Sequence, residues 1–347
     1  MPDRAVESMP TTKDLAKAAG VSRATVDRVL NGRDGVRQKT VDRVNQAIRD
    51  LGFERNIAAA NLAKRRSYRF LFVLPRTGDL FLRELVSRIS DAANAFARDG
   101  IRAEVAHLDT NDPHALANHL TGLAPGEWDG VALMAPRSPQ LRDAARRLTE
   151  RGTHVLPFIS AQARTDGAPF VGIDNRAAGA TAGLLMGRFI GRKQGKVLVV
   201  ADTMRSQDSL DRRHGFDSQL TAYHADLSGL PSLETGGTPD RTQAVIGNAL
   251  RFHGDILGIY LLGSEARLAL EALGALDLPE GVVCIAHERT TATEAALRDG
   301  CLDAVITQDP GHLVRSAFRR LKALSDNSRI FEAQEKIRTE VLLPTNL

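Results

Sequence analysis

The 347-residue sequence holds two cysteines, one tryptophan and three tyrosines, and aromatic residues make up only 5% of it. Cys284 and Cys301 are too few for a disulfide framework or a four-ligand zinc site. Each sits in an apolar stretch, VVCIA and GCLDAVI, which predicts buried, reduced thiols. No run approaches the roughly 18 apolar residues of a membrane span, and the opening MPDRAVESMP has no apolar leader, so a cytoplasmic protein without a membrane partner is expected. Patterns that mark common enzymes are missing as well: there is no GxxxxGK followed by Ser or Thr, no GxSxG, no HExxH and no CxxC. What is present is ordinary globular material, 43% hydrophobic and 25% charged, long enough for about two packed domains and a small extra module.

Charge is unevenly placed. The net charge of +4 hides a first stretch, residues 1–66, with 14 Lys or Arg against 8 Asp or Glu, while the other 281 residues hold 32 against 34. A compact basic module ahead of a near-neutral body is the footprint of a nucleic-acid contact, but also of a solvated tail, so motifs must decide.

Within that stretch DLAKAA, SRATVDRVLN and QKTVDRVNQAIRDL carry apolar residues at three- and four-residue spacing, which predicts three short helices. Thr11 or Thr12 caps the first and Ser22 the second; Gly20 and Gly52 fall just past the first and third. On the second helix Val26, Val29 and Leu30 form the buried face. Arg23, Ala24, Asp27 and Arg28 then point outward, near the end that a helix-turn-helix inserts in the major groove. A small helical domain that binds protein is the competing reading. Residues 53–67, FERNIAAANLAKRRS, combine alanines with Lys64, Arg65 and Arg66 and predict a linker of marginal helicity that orders against a partner.

From Tyr68 onward strand and helix alternate. YRFLFVLP, RAEVAHLD, DGVALMAP, HVLPFIS and FVGI are followed by KVLVVADT, ILGIYLL, VVCIAH and LDAVITQ, with helices expected over about 80–98, 113–123, 138–151, 175–190, 208–224, 240–252, 264–274 and 291–299. SGLPSLETGGTPD reads as a break. Continuous apolar strands separated by helices specify parallel sheets covered on both faces, and this many strands exceed one sheet, so two doubly wound lobes with a cleft at their strand ends are expected. Glu288 and Gln308 end apolar strands and Asp174 follows one, whereas Arg212 lies on a helix. Asp174 as a plain helix cap, and Arg212 as a surface residue beside Arg213, are the alternatives. His287 has no nucleophile or metal partner nearby in the sequence.

The segment DLAKAAGVSRATVDRVLNG and the linker NIAAANLA resemble the lactose-repressor (LacI) family of bacterial transcription regulators. The body resembles, less specifically, the sugar-binding fold shared with periplasmic binding proteins. The fold class so implied is multidomain: a small all-α helix-turn-helix DNA-binding domain (1–52), a hinge (53–67), and an α/β core of two lobes with doubly wound parallel sheets, one lobe from 68–191 plus 308–322 and the other from 192–307 plus 323–347. The resemblance implies that Thr11, Thr12, Ser22, Thr25 and Asn31 touch phosphates and that Arg23, Ala24 and Arg28 read base edges. It also implies a hinge helix from Asn56 to Leu62, with Ala59 and Leu62 entering the minor groove. Two positions depart from the family, Asp27 where Ser is usual and Arg55 where Pro is usual. In the body, Asp174, Arg212, Glu288 and Gln308 are implied to hold a sugar-like or polyol effector, with Phe81 stacking on it. Gly263-Ser264-Glu265 replaces the usual Asn-Asp of such sites.

The expected function is therefore a transcriptional regulator, a repressor in sign. It takes double-stranded operator DNA, a small-molecule effector and a second copy of itself as partners, in a homodimer or tetramer, with no cofactor, no metal and no enzymatic activity. A sugar-binding protein without a regulatory role is the alternative.

Overall fold

The structure is a computed structural model that describes residues 10–30, 33–53, 66–76, 79–109, 112–160, 169–276 and 278–347. The chain divides into two compact units, Met1–Arg66 and Ser67–Leu347.

In the first unit α1 (Thr12–Ala19), α2 (Arg23–Leu30) and α3 (Gln38–Leu51) enclose a small core of Leu15, Ala16, Ala19, Val26, Val44, Ala47 and Phe53. Thr11 is the cap of α1 and forms a reciprocal pair with Asp14: its hydroxyl accepts from the Asp14 amide, and its own amide donates to Asp14 Oδ2 at 2.9 Å. Ser22 Oγ accepts from the Thr25 amide at 3.1 Å, closing the start of α2. Gly20 and Gly52 end α1 and α3 at φ 62° and 56°, the left-handed conformation that a side chain resists.

The second unit holds two sheets. The first has the order β2-β1-β3-β4, formed from β1 (Tyr68–Pro75), β2 (Ile101–Leu108), β3 (Gly130–Leu133) and β4 (His154–Pro157), all parallel. β1 is central and buried apart from Arg69 and the half-buried Pro75, as its unbroken apolar run requires. Helices α4 (Leu80–Phe96), α5 (Pro113–Gly122) and α6 (Pro139–Glu150) make the crossovers. α5 and α6 begin with an acceptor cap, Asp112 or Ser138, followed by Pro, whose missing N–H is one the helix would leave unpaired anyway.

The second sheet runs β11-β10-β9-β8-β5-β6, with β7 also on β5. Its strands are β5 (Gly195–Ala201), β6 (Leu227–Gly229), β7 (Leu233–Glu234), β8 (Ile256–Leu261), β9 (Val283–His287), β10 (Ala304–Thr307) and the antiparallel edge β11 (Glu340–Leu342). Its helices are α7 (Asn175–Ile190), α8 (Gln207–Tyr223), α9 (Pro239–Phe252), α10 (Arg267–Gly274) and α11 (Thr291–Arg298). After β10 the chain crosses back, and α12 (Pro310–Ser325) packs on α4 and the first sheet, where Phe318 meets Phe70, Phe72 and Phe96. Burial of aromatic side chains of this kind contributes about 1.5–3 kcal/mol each. A short helix, α13 (Glu332–Glu335), precedes β11.

Four expectations need correction. α7 packs on α8 and on β8, β9 and β10, so the first lobe ends before Asn175 rather than at residue 191. FVGI supplies only an isolated bridge, Phe158 to Val171, where Val171 pairs with the chain just past the end of β4. The stretch read as a break contains the end of β6 and all of β7. Cys284 is buried, and burial pushes its thiol up, but Cys301 is exposed.

Candidate functional site

On the first unit the exposed face of α2 is polar and basic. Val26 is buried, and 3.6-residue periodicity therefore turns Ser22, Arg23, Ala24, Asp27 and Arg28 to solvent, with Thr25 half-buried. Thr11 is exposed and Thr12 half-buried. Asp27 forms an ion pair with Arg33, at 3.9 Å. Asn31, Asn56, Ala59 and Leu62, and with them the expected hinge helix, lie outside the described residues.

On the second unit a cleft of about 910 Å³ opens between the carboxyl ends of the two sheets. Its walls are polar. Asp79, the cap of α4, accepts from the Phe81 and Leu82 amides through Oδ1 and from Ser264 Oγ through Oδ2 at 2.6 Å, joining the lobes. Ser160 donates to Asp208 at 3.3 Å, and Arg137 donates to Gln207 at 3.2 Å, so two more polar bridges cross between lobes.

Arg212 lines this cleft although it is 3% exposed. Each of its three nitrogens donates one hydrogen bond: Nε to Asn175 Oδ1 at 2.8 Å, Nη1 to Leu262 O at 3.0 Å and Nη2 to Glu288 Oε1 at 2.6 Å. Gln308 Nε2 donates to the same Glu288 oxygen at 3.3 Å. Burial pushes the Glu288 carboxyl up, and Arg212 opposes that shift. Glu288 sits at φ 62°, a conformation that costs a non-glycine residue about 1–3 kcal/mol and persists where surrounding contacts demand it. Glu288 Oε2, Gln308 Oε1 and His287 Nδ1 are buried with no hydrogen-bond partner. His287 Nε2 meets the Tyr260 hydroxyl at 2.7 Å, and burial, reinforced by Arg212, holds this imidazole well below its ordinary value and hence neutral.

The structure thus brings Arg212, Glu288 and Gln308 together and leaves the other two expected effector residues elsewhere. Asp174 caps α7 by accepting from the Arg176 and Ala177 amides, and it borders an outer groove with Gln219 and Tyr223. Phe81 is buried in the apolar core beside Leu82 and Leu85 rather than on the cleft wall, because Asp79 starts α4 there and the next turn faces the sheet. Ser264 and Glu265 stand where the usual Asn-Asp of such sites would lie and line the cleft, whereas Asn175, Asp79 and Asp202 carried no expectation. Asp202 follows the apolar strand KVLVVA, the same signal that marks Glu288 and Gln308. Burial and then the charges of Asp79 and Glu265 push Asp202 up to about 7, and burial followed by Asp79 raises Glu265.

This two-lobed architecture defines a class of binding fold. Residues 70–328 match the periplasmic binding protein domain, and the chain belongs to that family. Residues 11–56 match the bacterial regulatory proteins of the lacI family, so the amino-terminal module is a helix-turn-helix of that family. Catabolite control protein A of Staphylococcus xylosus is 27% identical over 169 residues, 48% of this chain and 49% of that protein. The HTH-type transcriptional regulator RegA of Clostridium saccharobutylicum is 32% identical over 163 residues, 47% of each. The chain therefore spans about half the length of the curated relatives it matches. Among solved structures, a solute-binding protein from Burkholderia graminis in complex with D-arabinose aligns at TM-score 0.68 and 19% identity, covering 81% of this chain and 96% of that one. A putative LacI transcriptional regulator from Bacteroides fragilis aligns at TM-score 0.67 and 17% identity, covering 81% and 98%. These likenesses establish the fold. No helix among the described residues is long and apolar enough to cross a membrane.

Proposed function

We propose that this chain is a ligand-responsive, DNA-binding transcriptional regulator that binds a palindromic operator as a homodimer. The observation that carries the reading is the capped, solvent-facing α2, which presents Arg23, Ala24 and Arg28 from a basic module of a chain that also contains a polar-walled, two-lobed cleft. One recognition helix spans too few base pairs for a unique site, and a two-fold protein matches a two-fold operator. The effector is a hydroxylated small molecule of the sugar or polyol class; the D-arabinose-bound neighbour of the same fold supports that class. Arg212, Glu288 and Gln308 hold it, the spare oxygens of Glu288 and Gln308 accepting from its hydroxyls. Effector favours one relative lobe arrangement, and the three polar bridges across the cleft are the contacts that such a change makes or breaks. Site selection from random duplexes with the whole chain tests the reading: enrichment of an inverted repeat, lost on removal of residues 1–66, is expected. Recovery of no preferred sequence would overturn it.

A further inference from the structure

The helix α12 carries two adjacent arginines that meet different kinds of partner. Arg319 pairs with Glu335, a residue 3% exposed, through Nε and Nη2 at 2.6 and 3.0 Å. Arg320 is itself only 8% exposed, yet it pairs with Glu332, whose side chain is 71% exposed, through Nη1 and Nη2 at 3.1 and 2.6 Å. Arg320 Nε is left buried, with no hydrogen-bond partner among the described residues. A buried donor without a partner is costly, and an exposed carboxylate exchanges its ion pair for hydration at little net cost. Glu332 is thus a loose and incomplete partner for a buried cation. Beside the pair lies a cavity of about 510 Å³, lined by both residues and walled by Pro169, Phe170, Leu324 and Ile330. That volume falls in the range of about 300–1,000 Å³ typical of small-molecule sites. No described residue lines both this cavity and the cleft. A bare inorganic anion would leave the apolar wall in water, and a plain hydrocarbon would leave Arg320 as it is.

We propose that this cavity binds a small monocarboxylic acid with an aromatic or branched hydrocarbon body. The acid's carboxylate displaces Glu332 from Arg320 and takes the Nε and Nη2 edge, the geometry that Glu335 already uses on Arg319, so the donor that Glu332 leaves over is satisfied. Its body packs on Phe170, Leu324 and Ile330 and is removed from water. Charge is conserved in the exchange, since one carboxylate leaves the guanidinium as another arrives, and Glu332 turns to solvent from the short helix α13. Pro169 and Phe170 belong to the connection from β4 to α7, and Ile330 and Glu332 to the connection from α12 to β11. The ligand therefore touches two of the links between the lobes, at a place separate from the effector cleft.

Titration calorimetry of the whole chain with phenylacetate and benzoate, set against phenylacetamide, benzamide and acetate, tests this. The charge-assisted contact predicts that each acid binds at least about tenfold tighter than its amide. The apolar wall predicts a similar margin of phenylacetate over acetate. Glu332→Gln removes the competing carboxylate from an exposed position, so it should tighten both acids at least about threefold and leave the amides unchanged. Arg320→Gln, confirmed as folded by its melting transition, should bring each acid down to its amide. Phe170→Ala serves as a second variant and should weaken phenylacetate at least about threefold without moving acetate. No binding by either acid, equal affinity of acid and amide, acetate binding as tightly as phenylacetate, or acids unmoved by Glu332→Gln would each overturn the proposal. The last result would put the acid elsewhere on the chain.

Discussion

Arg212 and Glu288 form a buried ion pair, Nη2 to Oε1 at 2.6 Å, that ties α8 to the end of β9 at the base of the cleft. Removing one partner of such a pair leaves an uncompensated charge, which typically costs about 3–5 kcal/mol. Arg212→Ala should therefore lower the unfolding free energy of the second unit by about that amount. Arg212→Leu combined with Glu288→Leu should cost less than the sum of the single variants. Urea denaturation of the four-member cycle checks this, and simple additivity would count against coupling.

The position of Arg212 depends on how closely α7 and α8 approach. A Cβ on Gly179 would collide with the Arg212 carbonyl, and one on Gly215 with the Arg176 carbonyl, so backbone meets backbone at both places. Gly179→Ala or Gly215→Ala should force the helices apart at a cost of about 1–3 kcal/mol. Each should also weaken effector binding more than a surface change such as Arg251→Ala, because α8 carries Arg212 and α7 carries Asn175. Melting temperature and calorimetric affinity, measured together, separate the two effects.

The alternation of apolar runs and helical periodicity carried the long strands and most of the helices before residue 300, because strands such as β1, β5 and β9 are buried along their length and helices such as α4 start at a side-chain acceptor, whereas α12, after the last expected strand, went unread. β7 was missed for the opposite reason: two residues at a sheet margin leave no periodic signal. Beside Arg212, Glu288 and Gln308 were legible as polar residues ending apolar strands. Asp202 obeyed the same rule and went unread, while Asp174 carried a second explanation, capping, that the structure bears out. Asp79 could not be read at all, since its pairing with Ser264 joins positions 185 residues apart.

In the first unit the Thr11–Asp14 pair fixes the entry to α1. Thr11→Ala should destabilise this unit by about 1 kcal/mol, the usual worth of a side-chain cap. Hydrogen bonds from the Thr11 hydroxyl and amide hold the Asp14 carboxyl below its ordinary value of 3.8. A depressed folded value means that the stabilisation is present above the unfolded value and fades as pH falls through the folded one. Melting of residues 1–66 followed by circular dichroism between pH 2 and pH 5 should show that loss, and Asp14→Asn should flatten it.

Asp202 has the opposite linkage. Its folded value, about 7, lies above the ordinary 3.8, so the folded state holds a proton that the unfolded state gives up in between. Below the unfolded value the group is neutral in both states and has no effect. As pH rises through the window between the two values, folding loses stability, and above about 7 the loss is complete. Asp202→Asn should therefore stabilise the second unit more at pH 8 than at pH 5 in paired urea titrations. An equal effect at both would show that the carboxyl ionises normally.

Arg23 is the exposed residue directly after the cap Ser22, and its guanidinium can donate two parallel hydrogen bonds to guanine O6 and N7, while the neighbouring Ala24 methyl can pack on a thymine methyl. Each half-site should carry a G·C pair where Arg23 lands. Arg23→Ala should cost about 1–3 kcal/mol on that operator and relax the choice at that one pair, since phosphate contacts from Thr11 and Thr12 persist. Asp27 refines the test. Its ion pair in the free protein is with Arg33 at 3.9 Å, so Asp27→Ser should release Arg33 toward the phosphates and raise affinity across all sequences. Randomised-site selection with the wild type and both variants, repeated at two salt concentrations, separates the outcomes: Arg23→Ala changes the base preference and Asp27→Ser changes the salt slope. An unchanged preference in the Arg23 variant would show that the residue touches only the backbone.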